Sequence, residues 1–331
     1  MQSTRLCDQA DATARPLAAD ELPPSPVELA TELIARSGVW RSKEQYLATL
    51  FILQPLQVLW EQARQQGGAA QLLTPGVAAQ YAKAQSVRSA FLHGPGGSGK
   101  THCMTEVVMK VVRHFLGDMG VKAIAAHNSS ARLLLGKTMH TAGKMRGGQS
   151  LNQKHLKPAS RTRRALEKEW CDTFFLLGDE LSLAPPPLLA AVSTRAFHGR
   201  ARSAQLKADE SRQHPFGDVP VQVLMGDFFQ LNPVRSHTLL ESLCTSPVPG
   251  VPGKTKEEDE DGYALFKNAC RNVILFTGSY RFLDEDLPNR LNIMRVPGGR
   301  PVPPELRTKV LARVQAGPDD PRMRLDYVLD A

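Results

Sequence analysis

The chain has 331 residues, and its 41 Lys and Arg against 33 Asp and Glu give a formal net charge of +8. Apolar residues make up 42% and charged residues 22%, which is ordinary globular usage and excludes a wholly disordered chain. No run approaches the roughly 18 apolar residues of a membrane span, so no membrane partner is expected. The five cysteines share no short spacing, which disfavours a zinc or disulfide framework and indicates a reducing, intracellular compartment.

The positive charge is concentrated in the middle third of the sequence. Residues 101–214 hold 18 basic and 9 acidic side chains, a larger excess than that of the whole chain. This skew is typical of a protein with a polyanionic partner, and equally of a basic face that is only solvated.

The composition changes along the chain. Residues 1–45 are rich in Ala, Pro and charge, which predicts a mobile tail with a local helix near Val27–Arg36. Residues 46–88 predict a helical lead-in, interrupted at Pro55 and followed by a Gly/Pro loop. From residue 89 onward, short apolar runs alternate with helical stretches.

The alternation predicts an α/β fold with a mostly parallel sheet covered by helices on both faces. Two insertions near 198–218 and 245–262 interrupt it, and the acidic run Glu257–Asp261 predicts a solvated loop. The predicted strands are Ser89–His93, Val121–Ala126, Thr173–Leu177, Val219–Met225 and Asn272–Phe276.

A glycine-rich loop follows the first predicted strand and opens a helix. Its sequence, GPGGSGKT, satisfies the G-x-x-x-x-G-K-[ST] phosphate-loop pattern in full. Glycines let backbone N–H groups turn toward a phosphate, and the helix dipole adds positive potential. Lys100 is expected to reach the β/γ-phosphates of ATP and Thr101 to ligate Mg²⁺. The predicted nucleotide-binding residues of this loop are Gly94, Pro95, Gly96, Gly97, Ser98, Gly99, Lys100 and Thr101.

Two further predicted strands end in polar side chains that could bind Mg²⁺ or act on the attacking water. In FFLLGDE, Asp179 is the predicted second Mg²⁺ ligand and Glu180 the base that activates water. In VQVLMGDFFQLNPV, the amide of Gln230 can donate to a γ-phosphate oxygen and position the water. An Asp-Glu pair after a buried strand favours nucleotide hydrolysis.

The order of these blocks resembles the first RecA-like motor domain of PIF-type superfamily 1B DNA helicases, which are relatives of the RecD helicases. The resembling blocks are GPGGSGKT, HNSSARLLLGKTMH, LLGDELS, MGDFFQLNPV and GSYRF. The resemblance implies a RecA-like P-loop core and an ATP- and Mg²⁺-dependent 5′→3′ DNA helicase. Roles in DNA repair, recombination and telomere maintenance are implied by the family, as is single-stranded DNA as the partner.

The resemblance also assigns further site residues. Arg281, in GSYRF, joins Lys100, Glu180 and Gln230 as a catalytic residue. A glutamine that reads adenine normally precedes the loop, and Gln57 is the better match, with Gln54 second. The residues assigned to DNA are His127, Asn128, Lys137, His140 and Lys144.

The family has a second motor domain, and nothing after Arg281 resembles its T-x-H-K-x-x-G block. Residues 89–281 are therefore predicted to be the ATPase domain and residues 282–331 a stub of the connection. A second motor domain is expected as a partner, in cis or in trans. The expected location is the nucleus or mitochondrion in a eukaryote and the cytoplasm in a bacterium.

Two other classes of function stay open. A non-catalytic nucleotide- or nucleic-acid-binding remnant of such a helicase would retain the same blocks. A P-loop kinase would need an acceptor site, and the Asp-Glu pair and Gln230 disfavour it, so no small-molecule acceptor is expected.

Overall fold

All described helices and strands lie in the first of two units into which the chain divides, residues 1–278 and 279–331. Among the helices described, none is both long and apolar enough to cross a bilayer. The structure is a computed structural model that describes residues 24–37, 42–65, 88–145, 160–207, 211–228, 230, 233, 236–243, 257–278 and 280.

Six strands of the described part form one sheet in the order β3-β2-β4-β5-β1-β6, and every neighbouring pair is parallel. β5 lies between β1, which leads into the glycine loop, and β4, which ends in the acidic pair. The sheet confirms the predicted α/β fold and its RecA-like core. The strands are β1 (Arg88–His93), β2 (Val121–Ala125), β3 (Lys137–Thr138), β4 (Phe175–Asp179), β5 (Val221–Gly226) and β6 (Val273–Leu275).

The helices alternate with these strands. α3 and α4 form one continuous segment after the glycine loop, joined by a π-helical turn at Met104–Val108. The helices are α1 (Pro26–Ser37), α2 (Lys43–Gln65), α3 (Lys100–Cys103), α4 (Met109–Leu116), α5 (Asn128–Leu133), α6 (Met139–Ala142), α7 (Arg161–Trp170), α8 (Pro186–Arg200) and α9 (Glu257–Ala269). Four 3₁₀ turns are at Asp118–Gly120, Leu181–Leu183, Pro215–Gly217 and Leu239–Leu243.

Apolar side chains are buried on both faces of the sheet. One cluster joins α1, α2 and α4 to the sheet and includes Ile52, Val107 and Phe115. The other joins α7, α8 and α9 and includes Trp170 and Phe266. Because both faces are covered, the strands read as continuous apolar runs rather than alternating ones, which is why the sequence revealed most of them.

Of the predicted N-terminal tail, the structure describes residues 24–37 and 42–45. α1 lies where a local helix was predicted, and it packs on the core through Ala30 and Ile34, one helical turn apart. α2 continues through Pro55, where an interruption was predicted. A proline in a helix leaves the carbonyl four residues earlier without its usual donor. Here that carbonyl, of Phe51, accepts a hydrogen bond from Arg88 Nη1 at 3.4 Å.

One prediction about the loops is wrong. The acidic run Glu257–Asp261 is the first part of α9, because acidic side chains at a helix N-terminus interact favourably with the helix dipole. The predicted insertion at 198–218 begins inside α8, and Arg200 is buried there. Its guanidinium donates to the backbone carbonyls of Gly217 (2.8 Å) and Thr173. These hydrogen bonds satisfy the buried guanidinium and link the end of α8 to the segments before β4 and β5.

Candidate nucleotide site

The glycine loop lies between β1 and α3, as the phosphate-loop pattern predicts. Gly97 (φ 84°) and Gly99 (φ 82°) adopt the left-handed conformation, which an L-residue with a side chain rarely adopts. A Cβ atom on Gly99 would also lie 1.9 Å from Nε2 of Gln45. Glycine at this position therefore permits both the turn and the approach of a second side chain.

Lys100 is folded back over the loop. Its Nζ donates to the carbonyls of Gly94 (2.7 Å) and Pro95 (3.0 Å) and lies 3.3 Å from Ser98 Oγ. Only 9% of the residue is exposed. The ammonium group is thus held inside the loop, at the place where phosphate oxygens would compete with these carbonyls for it.

Thr101 and Asp179 meet across the junction of α3 and β4. The Thr101 hydroxyl donates to Asp179 Oδ2 at 3.2 Å, although 78 positions separate the two residues. Burial raises the pKa of the Asp179 carboxyl despite this bond and a second one from the backbone N–H of Glu180. A buried carboxylate beside a hydroxyl offers the oxygen ligands that Mg²⁺ prefers, so the donor set fits this metal.

Glu180 occupies a strained position next to Asp179. Its backbone is left-handed (φ 54°), which is uncommon for a residue with a side chain and costs free energy. Burial raises the pKa of its carboxyl, and the charges of Asp179 and Asp227 raise it further, whereas those of Lys100 and His127 lower it. The carboxyl is therefore influenced by charged groups from four of the five blocks named in the sequence analysis.

Gln230 lies against the loop from the β5 side. Its Nε2 donates to Asp227 Oδ2 at 2.9 Å, and a Cβ atom on Gly96 would lie 3.2 Å from the same nitrogen. Asp227 is buried, with 2% of its surface exposed. The structure thus brings the amide to the phosphate loop, as expected for a group that contacts the γ-phosphate.

The glutamine that contacts the loop is Gln45 rather than Gln57. Gln45 is buried and its Nε2 donates to the Ser98 carbonyl at 3.0 Å. Gln57 instead accepts from the backbone N–H of Val27 (3.1 Å), so the structure places it at the start of α1 and away from the loop. Gln54, the second choice, is exposed on α2.

A sequence signal for Gln45 existed. Ser42 and Gln45 form an S-x-x-Q capping box, which marks the first turn of a helix. In the structure the backbone N–H of Gln45 donates to Ser42 Oγ at 3.4 Å. The capping box indicates that α2 starts at residue 43 and that Gln45 lies in its first turn. In the structure, this first turn is the end of α2 that contacts the loop.

The predicted DNA contacts fall into two groups. His127 and Asn128 are exposed where β2 meets α5, and His140 is exposed on α6. Lys137 and Lys144 instead form ion pairs with Glu169 of α7, each at 2.5 Å. Arg281 lies outside the described residues, so its predicted role stays a prediction.

A family model for PIF1-like helicases matches residues 76–246 of this chain. The ATP-dependent DNA helicase Pif1 of Psychrobacter sp. (strain PRwf-1) is 30% identical over 152 residues, which are 45% of this chain and 20% of that protein. The chain thus spans about a fifth of the length of this relative.

Two solved structures are similar at lower identity. The Pif1 helicase from Candida albicans aligns with 72% of this chain and 47% of its own, at 18% identity and a TM-score of 0.47. Bacteroides Pif1 bound to single-stranded DNA aligns with 63% of this chain and 42% of its own, at 22% identity and a TM-score of 0.41.

Proposed function

Because the chain belongs to the PIF1-like helicase family, we propose that it is the ATP-hydrolysing motor domain of a DNA helicase. One observation carries the proposal: the Thr101 hydroxyl lies 3.2 Å from Asp179, with Glu180 directly beside it. This contact joins the phosphate loop to the acidic strand end. Such a pairing of a loop hydroxyl with a buried carboxylate is what a nucleotide-bound Mg²⁺ requires.

The residues of the loop would then act on the triphosphate as follows. Lys100 would exchange the Gly94 and Pro95 carbonyls for β- and γ-phosphate oxygens, which are stronger partners for an ammonium group. Thr101 and Asp179 would hold Mg²⁺, which when bound neutralises charge that develops on the phosphates.

Hydrolysis would depend on Glu180 and Gln230. A carboxyl whose pKa is raised by burial and by neighbouring carboxylates accepts a proton more readily, which suits a base for the attacking water. The Gln230 amide, beside Gly96, would orient that water or a γ-phosphate oxygen. We assign contact with the adenine end of the nucleotide to Gln45, the glutamine that bonds to the loop.

The partner we propose is single-stranded DNA, the ligand named for the Bacteroides Pif1 structure. The 5′→3′ polarity and roles in repair, recombination and telomere maintenance follow from the family alone. A second motor domain, in cis or in trans, belongs to the same proposal. In this chain the basic segment 101–214 supplies charge for sequence-independent phosphate contacts.

The test is ATP turnover by the purified chain, measured with and without single-stranded DNA. Turnover that DNA stimulates is expected, and Lys100→Ala should lower it by about 10²–10³-fold because one charge contact in the transition state is lost. Lys110→Ala is the matched control, since Lys110 pairs with Glu106 on the exposed side of the same helical segment. Nucleotide binding without turnover would support the remnant instead, and a requirement for a small acceptor would support a kinase.

A further inference from the structure

Three lysines surround one carboxylate at the β3 edge of the sheet. Lys137 Nζ and Lys144 Nζ each lie 2.5 Å from a Glu169 oxygen, and Lys122 Nζ lies 3.6 Å away. We call Lys122, Lys137, Lys144 and Glu169 the lysine cluster. Three ammonium groups against one carboxylate leave two positive charges uncompensated within it, which is an arrangement that attracts a further anion.

The cluster is layered from the inside outward. The side chains of Glu169 and Lys122 are 9% and 13% exposed, whereas those of Lys144 and Lys137 are 32% and 46% exposed. An anion that approaches from solvent therefore meets Lys137 and Lys144 first. Lys122 also lies over the Trp170 ring, 5.6 Å from its centroid, so it is held at the base of the cluster.

The electrostatics agree with this layering. Burial lowers the pKa of Lys122, and the charge of Glu169 opposes the change. Burial alone would raise the pKa of Glu169, but the hydrogen bonds from Lys137 and Lys144 and the charges of Lys122 and Lys137 together outweigh burial, so the pKa of the carboxyl is lowered. Glu169 is thus ionised at neutral pH and serves as the internal counterion of the cluster.

Lys144 is held in place at the expense of backbone strain. It follows α6 in the left-handed conformation (φ 52°), a position usually occupied by glycine. Its N–H donates to the Thr141 carbonyl (3.1 Å), and the N–H of Met145 donates to the His140 carbonyl (2.9 Å). Gly143, one residue earlier, would tolerate that conformation, yet the strained position falls on the lysine.

Lys137 is also held by the backbone that carries it. It lies in the edge strand β3, paired with Ile124 of β2. The preceding Gly136 packs so closely on β2 that a Cβ atom there would lie 2.4 Å from the Ala123 carbonyl oxygen. Both outer lysines therefore project from fixed positions in the segment between β2 and α7.

We propose that Glu169 is a positioning residue: it holds Lys137 and Lys144, which the family resemblance assigns to DNA, at the surface until a backbone phosphate of single-stranded DNA replaces it. Lys122 keeps the carboxylate paired after the outer lysines turn to the phosphate. This inference rests on the proposed function, which supplies the polyanion. Glu169 therefore competes with the DNA phosphate for the lysines and lowers the affinity of the motor domain for single-stranded DNA.

The test is fluorescence anisotropy of a mixed-sequence, single-stranded oligonucleotide titrated with the full chain at several salt concentrations. Glu169→Gln should tighten binding by about fivefold at low salt, since a carboxylate no longer competes with phosphate. Glu167→Gln is the matched control: Glu167 pairs with Arg163 on another side of α7, and less than a twofold change is expected.

Two lysine variants keep the test informative if Glu169→Gln impairs folding. Lys137→Ala and Lys144→Gly should each weaken binding, and each should make the slope of log K against log salt shallower by about 0.7. Lys144→Gly also relieves the left-handed strain, so its melting temperature should not fall. A purely structural lysine would lower stability and leave the salt slope unchanged.

The outcomes separate this inference from the proposed function. If the parental chain binds the oligonucleotide with salt dependence but none of these variants changes affinity or slope, the lysine cluster is not the phosphate site and the proposed function stands. An equal gain from Glu169→Gln and Glu167→Gln would also overturn it. If the parental chain binds no oligonucleotide and hydrolyses no ATP, both the proposed function and this inference fail.

Discussion

Asp179 and Glu180 are neighbours in sequence, but their surroundings assign them different tasks. Asp179 ends β4 and bonds to the Thr101 hydroxyl, which places it on the metal side of the site. Glu180 follows in a left-handed backbone conformation, and the charge of Asp227, which raises the pKa of its carboxyl, is among those that act on it. A strained residue at the end of a buried strand is typical of a functional site, where the surrounding structure maintains the strain.

We therefore expect different effects from removing each charge. Glu180→Gln should retain Mg-nucleotide binding and lower ATP turnover by at least about 10²-fold, because the base is lost. Asp179→Asn should raise the Mg²⁺ concentration needed for nucleotide binding. Nucleotide titrations over a range of Mg²⁺ concentrations, combined with turnover rates, measure both. Identical behaviour of the two variants would contradict the separate roles.

The raised pKa of Asp179 also predicts a pH dependence of stability. Because burial raises the pKa of this carboxyl in the folded chain, ionisation at neutral pH opposes folding, and the penalty disappears as pH falls through the raised folded value. Without nucleotide, Asp179→Asn should therefore melt at a higher temperature than the parent at pH 7. The difference should shrink toward pH 4, and a constant difference in thermal melts across this range would refute the assignment.

Gln45 and Gln57 offer a matched pair on one helix. Gln45→Ala should weaken nucleotide binding, since its amide holds the Ser98 carbonyl of the loop. Gln57→Ala should leave nucleotide binding unchanged and lower only the stability of the α1–α2 contact, by about 1 kcal/mol. Comparing the affinity for ATP with the affinity for inorganic triphosphate measures how much of the loss comes from contact with the adenosine portion of the nucleotide. Equal losses for both ligands would show that Gln45 only shapes the loop.

At the scale of elements, α2 and β1 are joined by a hydrogen bond whose acceptor is available because of Pro55. Pro55 frees the Phe51 carbonyl, and Arg88 at the start of β1 donates to it at 3.4 Å. The Arg88 guanidinium also lies over the Phe51 ring, 4.6 Å from its centroid. The proline that suggested a break in the helix instead creates an acceptor for the adjoining strand.

This arrangement predicts coupling between two distant positions in the sequence. Arg88→Met should destabilise the parental chain by about 1–2 kcal/mol, since it removes a hydrogen bond and a cation–π contact. In a Pro55→Ala background the N–H of residue 55 can bond to the Phe51 carbonyl, so the same change should cost less. Urea unfolding of the two single variants and the double variant measures the difference. Additive free energies of unfolding would refute the coupling.

Elements that bury apolar runs were predictable, and elements made by tertiary contacts were not. The long strands and the helices that follow them are apparent from composition and periodicity. β3 has two residues and exists because Gly136 lets the chain approach β2, which no local pattern reveals. Similarly, an acidic run does not distinguish a solvated loop from the first turn of α9.

The candidate site was more predictable than its surroundings. Consecutive motifs identified Lys100, Thr101, Asp179 and Glu180, because parallel strands place their carboxyl ends at one edge of a sheet. Gln45 was missed, since its capping box marks only the first turn of a helix and its contact with the loop depends on where the start of α2 packs. The pairing of lysines with Glu169 likewise depends on tertiary structure alone.

For the whole molecule, we expect the 331-residue chain alone to bind single-stranded DNA but not to unwind a duplex. Translocation requires two DNA-gripping domains that move relative to each other, and the described residues form one RecA-like core. The measurement is strand displacement on a duplex with a 5′ tail, in the presence of ATP, with the annealed duplex and no protein as control. Robust ATP-dependent unwinding would contradict this expectation.

The described part of the first unit ends beside the phosphate loop. The backbone N–H of Phe276 donates to the His93 carbonyl at 2.8 Å, and the Phe276 carbonyl oxygen would lie 2.4 Å from a Cβ atom on Gly94. One residue later, Thr277 donates to Glu44, the neighbour of Gln45, at 2.7 Å. The backbone at residues 276–277 thus runs alongside the phosphate loop and the start of α2. A rearrangement of the loop would therefore displace Phe276 and Thr277, so the nucleotide state of the loop would reach the end of the first unit through these two hydrogen bonds.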